Sequence, residues 1–400
     1  MLGLLLFAGY VVFVVADLQQ GQQRTAAGGH PRFSDFTSTY AGSVLLQHDP
    51  AVYLYDPERM LLAEYYAASA AYNFSLNEAQ IARHSYAAWM YPPIFSLFIL
   101  PLAFAPYLVS LLLWSGSTLL VYLAALAYDR DPLAGIGIGL AAPSTLWNLA
   151  YGQTGFLSAG LIGLGLNLLQ RSPTIAGITL GMAAFKPHLG VLIPLALIVG
   201  GYWWVLFTAT LVVGALVVST SIAFGAEHWV YFFQSLFSST HGLTAGAFRV
   251  QAMVTPLGLG MFYGASNALA WLLQGATAVL AIGAVTWGWR GAHNTPAGQP
   301  LRNALLCSAT LLLVPLAYFY DLTLLALALC WLYGDMRRRG AHKKEYALLL
   351  SAGVLMLLLF PAVYDLGLYL GPLPSAMVFG LCIKRLAQSG FTPRSKPTPA

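Results

Sequence analysis

Residues 322–344 read LTLLALALCWLYGDMRRRGAHKK, an almost wholly apolar run that ends in three arginines and two lysines. Basic residues in short loops beside apolar runs mark the cytoplasmic side of a membrane. The run 322–334 therefore crosses from outside to inside, leaving Tyr318-Phe319-Tyr320-Asp321 at the outer face. Working backwards, 303–317 starts inside, with Arg290 and Arg302 in the loop before it. The span 267–289 puts 225–266 outside, and 204–224 puts Tyr202-Trp203 inside. Two short runs, 173–185 and 188–201, meet at an outer Lys186-Pro187-His188 turn and are read either as two spans or as a re-entrant pair. The span 154–170 leaves Tyr151-Gly152-Gln153 outside, and 133–149 puts Asp129-Arg130-Asp131 inside. Forward from the arginines, 345–361 and 372–388 return the tail, 389–400, to the cytoplasm.

Bulk composition agrees with this alternation. Hydrophobic residues make up 58% of the 400-residue chain, charged residues only 8%, and mean hydropathy is +0.69. A soluble domain of this size needs far more charge on its surface. The net charge of +5 does not signal nucleic acid, because the cations sit in loops between apolar runs. Thirteen of the nineteen Lys and Arg fall on the inner side, whereas ten of the fourteen acids fall outside. Cys307, Cys330 and Cys382 lie inside apolar runs, so neither a disulfide nor a metal site is expected. The opening MLGLLLFAGYVVFVVADLQQ has no basic n-region and no cleavage pattern, which reads as a retained first helix.

Residues 91–128 must then cross an odd number of times. Ile94–Phe104 is shorter than the roughly 20 residues a span needs and is read as a helix lying along or dipping into the outer leaflet. The sum is an all-α polytopic membrane protein of one domain, 1–400, with about 12 transmembrane helices. Both termini are cytoplasmic, and a large first extracytoplasmic loop covers 17–90. Within that loop Ser34–Gln47 and Pro57–Ser69 are helix-compatible.

Carboxylates held at a membrane edge are functional candidates by default. Asp35 stands in GGHPRFSDFTSTY at a helix start, where it is either an N-cap or a reactive acid; Asp49 and Asp56 are alternative acids of the same loop. Lys186 is either a cation snorkelling to the interface or a clamp for a phosphate group. Gln153 follows a possible helix break, Asp321 can be an ordinary loop acid, and Trp89 and Tyr91 suit an aromatic belt equally well. His241, Arg249 and Gln251 read as solvated residues of the 225–252 segment. No Walker loop, dinucleotide fingerprint, HExxH or GxSxG elbow is present, so no cofactor is expected. An enzyme here has to take an already activated substrate from the membrane.

The outer loop with Asp35, then YPPIFSLFILPLAFAP (91–106), YGQTGFL (151–157), GITLGMAAFKPHLGVLIPLAL (177–197) and PLAYFYDLTLLALAL (315–329), resemble the GT-C glycosyltransferases. More closely they resemble the polyprenol-phosphate-mannose-dependent transferases of glycosyltransferase family 87. The resemblance implies a GT-C-like bundle in a bacterial cytoplasmic membrane, with its active site facing outward. It implies an inverting transfer of a sugar, mannose by the family's habit, from a polyprenyl-phosphate donor to a glycolipid or glycan acceptor. Asp35 matches the family's proposed base, and Lys186 and Arg249 are placed to receive the donor phosphate. Tyr91, Gln153, His188, Tyr320 and Asp321 become the candidates for sugar and acceptor hydroxyls; no metal ligand is implied. The rival reading is a transporter or flippase of lipid-linked sugars, which favours polar groups on broken, repeated helices at mid-membrane.

Overall fold

The computed structural model describes residues 2–26, 35–72, 89–128, 131–244, 249–290 and 296–390. The turn at 27–31, Glu78, Asp129, Arg130, the TPRSKPTPA tail and the side chain of His241 lie outside the described residues. Among the described residues regular structure is helical, apart from one isolated antiparallel bridge, Met253 to Tyr318.

Among the described residues six helices are long and apolar enough to cross a bilayer alone: α1 (Leu2–Ala26), α5 (Tyr107–Leu126), α11 (Trp203–Phe224), α14 (Asn267–Trp289), α16 (Thr323–Arg339, preceded by a 3-10 turn from Phe319) and α17 (Lys343–Tyr364). The chain is therefore an integral membrane protein. Burial sorts these helices into two kinds. The α16 span is 83% buried, whereas α11 is 11% and α1 only 6% buried. Leu211, Val218 and Ile222 of α11 and Leu272, Val279 and Leu280 of α14 stand exposed. Apolar surface of that extent belongs against lipid, which makes α16 the axis and α1, α11 and α14 the perimeter.

The twelve expected crossings are carried unequally. The run 133–149 is carried by two helices, α6 (Pro132–Ala141) and α7 (Pro143–Tyr151), bent by 61°. Ala142 between them is extended, at φ −61° and ψ 131°, because a proline ring disfavours helical backbone in the residue before it. The same rule breaks the chain at Lys186-Pro187, where Lys186 sits at φ −130° and ψ 70°, between α9 (Pro173–Met182) and α10 (Ile193–Gly200). Crossings expected at 154–170 and 303–317 fall on α8 (Gly155–Leu168) and α15 (Gln299–Leu313), both shorter than a single span. The last, 372–388, falls on α18 (Leu373–Gly390), which carries Lys384 and Arg385.

One expectation is corrected. Arg302, placed in an inner loop, instead lies buried within α15. Its guanidinium is held by Gln299 and by Tyr202 Oη (3.3 Å), and lies 5.1 Å from the Trp289 ring centroid. Helix α1 runs on to Ala26, into the stretch assigned to the first outer loop. That stretch also contains α2 (Asp35–His48) and α3 (Pro57–Tyr72), joined where the Ser38 hydroxyl donates to Glu64 at 2.5 Å.

The ends of the bundle differ chemically. At one end, Asp335 of α16 and Glu345 of α17 both bind Arg385 of α18 at 2.9 Å, with Lys384 and Arg339 as further partners. At the other end of α16 lie Tyr320 and Asp321, about 20 Å away at 1.5 Å per residue. Apolar spans keep these two polar clusters apart.

Candidate active site

The second end is built around one turn. Helix α7 stops at Gly152, whose φ of 59° is left-handed, a conformation glycine adopts at little cost. A Cβ there would lie 2.6 Å from Phe36 Cβ and 2.9 Å from Leu111, so the absent side chain also lets α2 pack against the turn. The Trp114 indole N–H donates to the Gly152 carbonyl at 3.1 Å, and the Gln153 N–H to the Asn148 carbonyl at 3.1 Å. Gln153 and Thr154 are thereby presented at a fixed angle, both buried.

These two neighbours hold two opposite charges. Gln153 Nε2 donates to Asp35 Oδ2, in the first turn of α2. The Lys186 ammonium donates to Thr154 Oγ1 at 3.2 Å and to Asp321 Oδ1 at 2.6 Å, and sits 4.9 Å above the Tyr320 ring. Tyr91 closes the space between them, with its hydroxyl 3.5 Å from Gln153 Oε1 and 3.4 Å from Thr154 Oγ1. Lys186 is 5% and Asp321 1% exposed, so their ion pair is fully desolvated. Asp321 Oδ2 accepts the Tyr318 N–H at 3.0 Å, so both carboxylate oxygens are engaged by the protein.

Asp35 differs. Among the described residues its carboxylate accepts a hydrogen bond from Gln153 alone, and the side chain stays exposed. The first N–H groups of α2 do not bond to it, so it does not act as a side-chain cap among the described residues. Protein crowded around it raises its carboxyl above the ordinary range by desolvation, opposed by the Gln153 hydrogen bond and then by the charges of Arg249 and Lys186. A carboxyl in that state is more basic than a solvated aspartate.

The cation Arg249 comes from an element far along the chain. Val254 N–H donates to the Ala317 carbonyl at 2.9 Å and the Thr255 hydroxyl to Pro315 O at 3.0 Å, beside the Met253–Tyr318 bridge. This tacks 249–255 onto the segment that leads into Tyr320 and Asp321. Arg249 is exposed, and its charge acts on both Asp35 and Tyr318. His188, in the 3-10 turn Pro187–Gly190, is exposed and feels the charges of Lys186 and Asp321.

Asp35, Tyr91, Gln153, Lys186, Tyr320 and Asp321, from five separate segments, therefore surround one space, with Arg249 and His188 at its margin. The other loop acids stay apart: Asp49 is exposed at the end of α2, and Asp56 caps α3 by accepting the Glu58 and Arg59 N–H groups at 2.9 and 3.1 Å. Two members went unnoticed in the sequence. Thr154 links Lys186 to Tyr91, and Asn148 ties α7 to the Tyr320 carbonyl at 2.8 Å. The signal for Thr154 was its place directly after Gln153 at the break. Asn148, buried in an apolar helix, had only its polarity to mark it. Among the described residues no three His, Cys, Asp or Glu side chains are grouped to hold a metal ion.

Chemically, the space offers a poised carboxylate facing a separately held cation. No curated protein and no solved structure matches the chain. The family profile of glycosyltransferase family 87 matches residues 89–316, more than half of the chain, a stretch that includes Tyr91, Gln153, Lys186, His188 and Arg249 but begins after Asp35 and ends before Tyr320. The chain belongs to glycosyltransferase family 87.

Proposed function

We propose that this membrane glycosyltransferase moves a sugar, mannose in the first instance, from a polyprenyl-phosphate donor to an acceptor hydroxyl in a single inverting displacement at the extracytoplasmic face. The observation that carries the reading is the pair of adjacent residues Gln153 and Thr154, which hold Asp35 and Lys186 apart from one another. A carboxylate and a cation in direct contact would neutralise each other. Kept apart, each is available to a different end of one reaction.

Asp35 takes the proton of the acceptor hydroxyl as its oxygen attacks the anomeric carbon. The bond from that carbon to the donor phosphate oxygen breaks on the opposite face, inverting the centre and releasing polyprenyl phosphate. Lys186 has three N–H donors, two of them engaged by Asp321 and Thr154. The third meets the charge that grows on the leaving oxygen, a charge best stabilised by donors already fixed in place. Arg249 supplies a second contact to the same phosphate. Asp321 acts through Lys186, and Tyr91, Gln153, His188 and Tyr320 line the sugar and acceptor side.

The surrounding apolar helices let a lipid-borne donor enter from the bilayer. The test offers the purified protein, in liposomes, polyprenyl-phosphate sugars and nucleotide sugars with a membrane glycolipid acceptor. Transfer from the lipid-linked sugars alone, with the product anomer inverted, is the expected result. Transfer from a nucleotide sugar, or retention of configuration, would overturn the reading.

A further inference from the structure

A second polar site lies at the opposite end of the bundle. A cavity of about 520 Å³ opens there between α8, α15 and α16, with Arg171, Arg338 and Arg339 among its lining residues beside Gln170, Asn167 and Gln299. That volume falls within the range of ordinary ligand sites. Among the described residues no carboxylate lines it. Arg339 is neutralised by Asp335 at 3.0 Å, but Arg171 is held by a neutral partner, the Tyr128 ring and hydroxyl, at 5.3 and 3.5 Å. Behind the wall, Arg302 donates to Gln299, adding a further buried positive charge. The cavity is therefore electropositive while presenting amide groups that both donate and accept.

Its depth is marked independently. Tyr202 Oη accepts from Gln170 at 3.3 Å and donates to Gln299 at 3.0 Å, two residues of the cavity wall. The next two residues, Trp203 and Trp204, are 62% and 58% exposed. Exposed tryptophans at the start of a lipid-facing helix sit at head-group level, so the cavity opens where lipid phosphates lie. Basic pockets between helices at that level bind anionic head groups.

We propose that this cavity is a binding site for a phosphate group, separate from the transfer site. The charge, volume and depth suit the head group of an anionic lipid of the leaflet at that end. The Trp331 indole donates to Asn167 at 2.9 Å on the cavity wall. Asn167 and Trp331 lie on α8 and α16, whose other ends carry Thr154 and Asp321, so an occupied cavity clamps the two helices that frame the transfer site.

Protein delipidated in neutral detergent is titrated with phosphatidylglycerol, phosphatidylcholine and inorganic phosphate, reading bound adducts by native mass spectrometry and the shift in Tm. Phosphatidylglycerol is expected to bind and raise Tm, with phosphatidylcholine weaker. If inorganic phosphate raises Tm as much, free phosphate is a ligand in its own right; if it does not, the lipid is the source. Arg171→Gln and Arg338→Gln should each weaken binding about fivefold, the value of one basic residue near an anionic leaflet. Arg171→Lys should retain it, and Arg290→Gln, outside the cavity, should leave it unchanged. Equal binding of the two lipids with no response to phosphate, or variants that bind like the wild type, would overturn the proposal.

Discussion

At the scale of single residues, Asp35 and Lys186 differ in what surrounds them. Asp35 is exposed with one hydrogen-bond donor, whereas Lys186 is buried and donates to Thr154 and Asp321. Asp35→Asn should lower transfer by about 10²–10⁴-fold, the usual weight of a general base, with folded yield unchanged. Because desolvation raises the Asp35 carboxyl, its protonated, inactive form persists to higher pH than for a solvated aspartate. The rate should fall as pH is lowered, with the acid limb of kcat/KM above the ordinary aspartate value of about 4; a limb at or below that value contradicts the assignment. Lys186→Met leaves Asp321 buried and uncompensated, a change worth about 3–5 kcal/mol, so both Tm and transfer should drop. Lys186→Met with Asp321→Asn should restore much of the Tm but none of the transfer, and recovery of both would remove Lys186 from the chemistry. The sequence made these residues visible because a charge in so apolar a chain stands out. It could not show that Asp321 faces Lys186, since a loop acid and an ion-paired acid look alike until α10 and α16 are brought together.

At the scale of elements, prolines and one glycine shape the site. Ala142-Pro143 and Lys186-Pro187 each break an apolar run, and both breaks deliver polar residues to the same end. Counting apolar residues blurs such breaks, because a bent pair has the composition of one span; the signal lies in the residue before proline. Gly152→Ala should cost about 1–2 kcal/mol from left-handed backbone alone, with a further penalty from the close approach to Phe36 and Leu111. Thermal unfolding should register the loss. Transfer should fall more steeply than the folded fraction, because the displaced turn carries both Gln153 and Thr154. A loss of activity that merely follows the unfolded population would show that the turn supports the fold and does not position the charges.

At the scale of the whole molecule, the charge asymmetry of the sequence has its counterpart in two separate polar ends. The acidic first element, Lys186 and Asp321 gather at one end, and the cluster of Asp335, Glu345 and Arg385 at the other. The triple-arginine run was legible because it ends a helix and meets solvent. Arg302 was not, since a cation held by Gln299, Tyr202 and Trp289 has the same sequence signature as one in a loop. Arg385→Leu strips a partner from two carboxylates on two helices, and should lower Tm by more than Arg338→Leu does. Single cysteines at position 50 and position 343, in a background freed of the three buried cysteines, should label from opposite sides of right-side-out vesicles.

The most direct test of the central assignment is a single-turnover assay in liposomes loaded with labelled polyprenyl-phosphate mannose, comparing wild type with Asp35→Asn at equal donor occupancy. Label should pass to the glycolipid acceptor in the wild type and remain on the bound donor in the variant. Transfer by the variant at a wild-type rate, or movement of intact labelled donor between leaflets without transfer, would contradict the account.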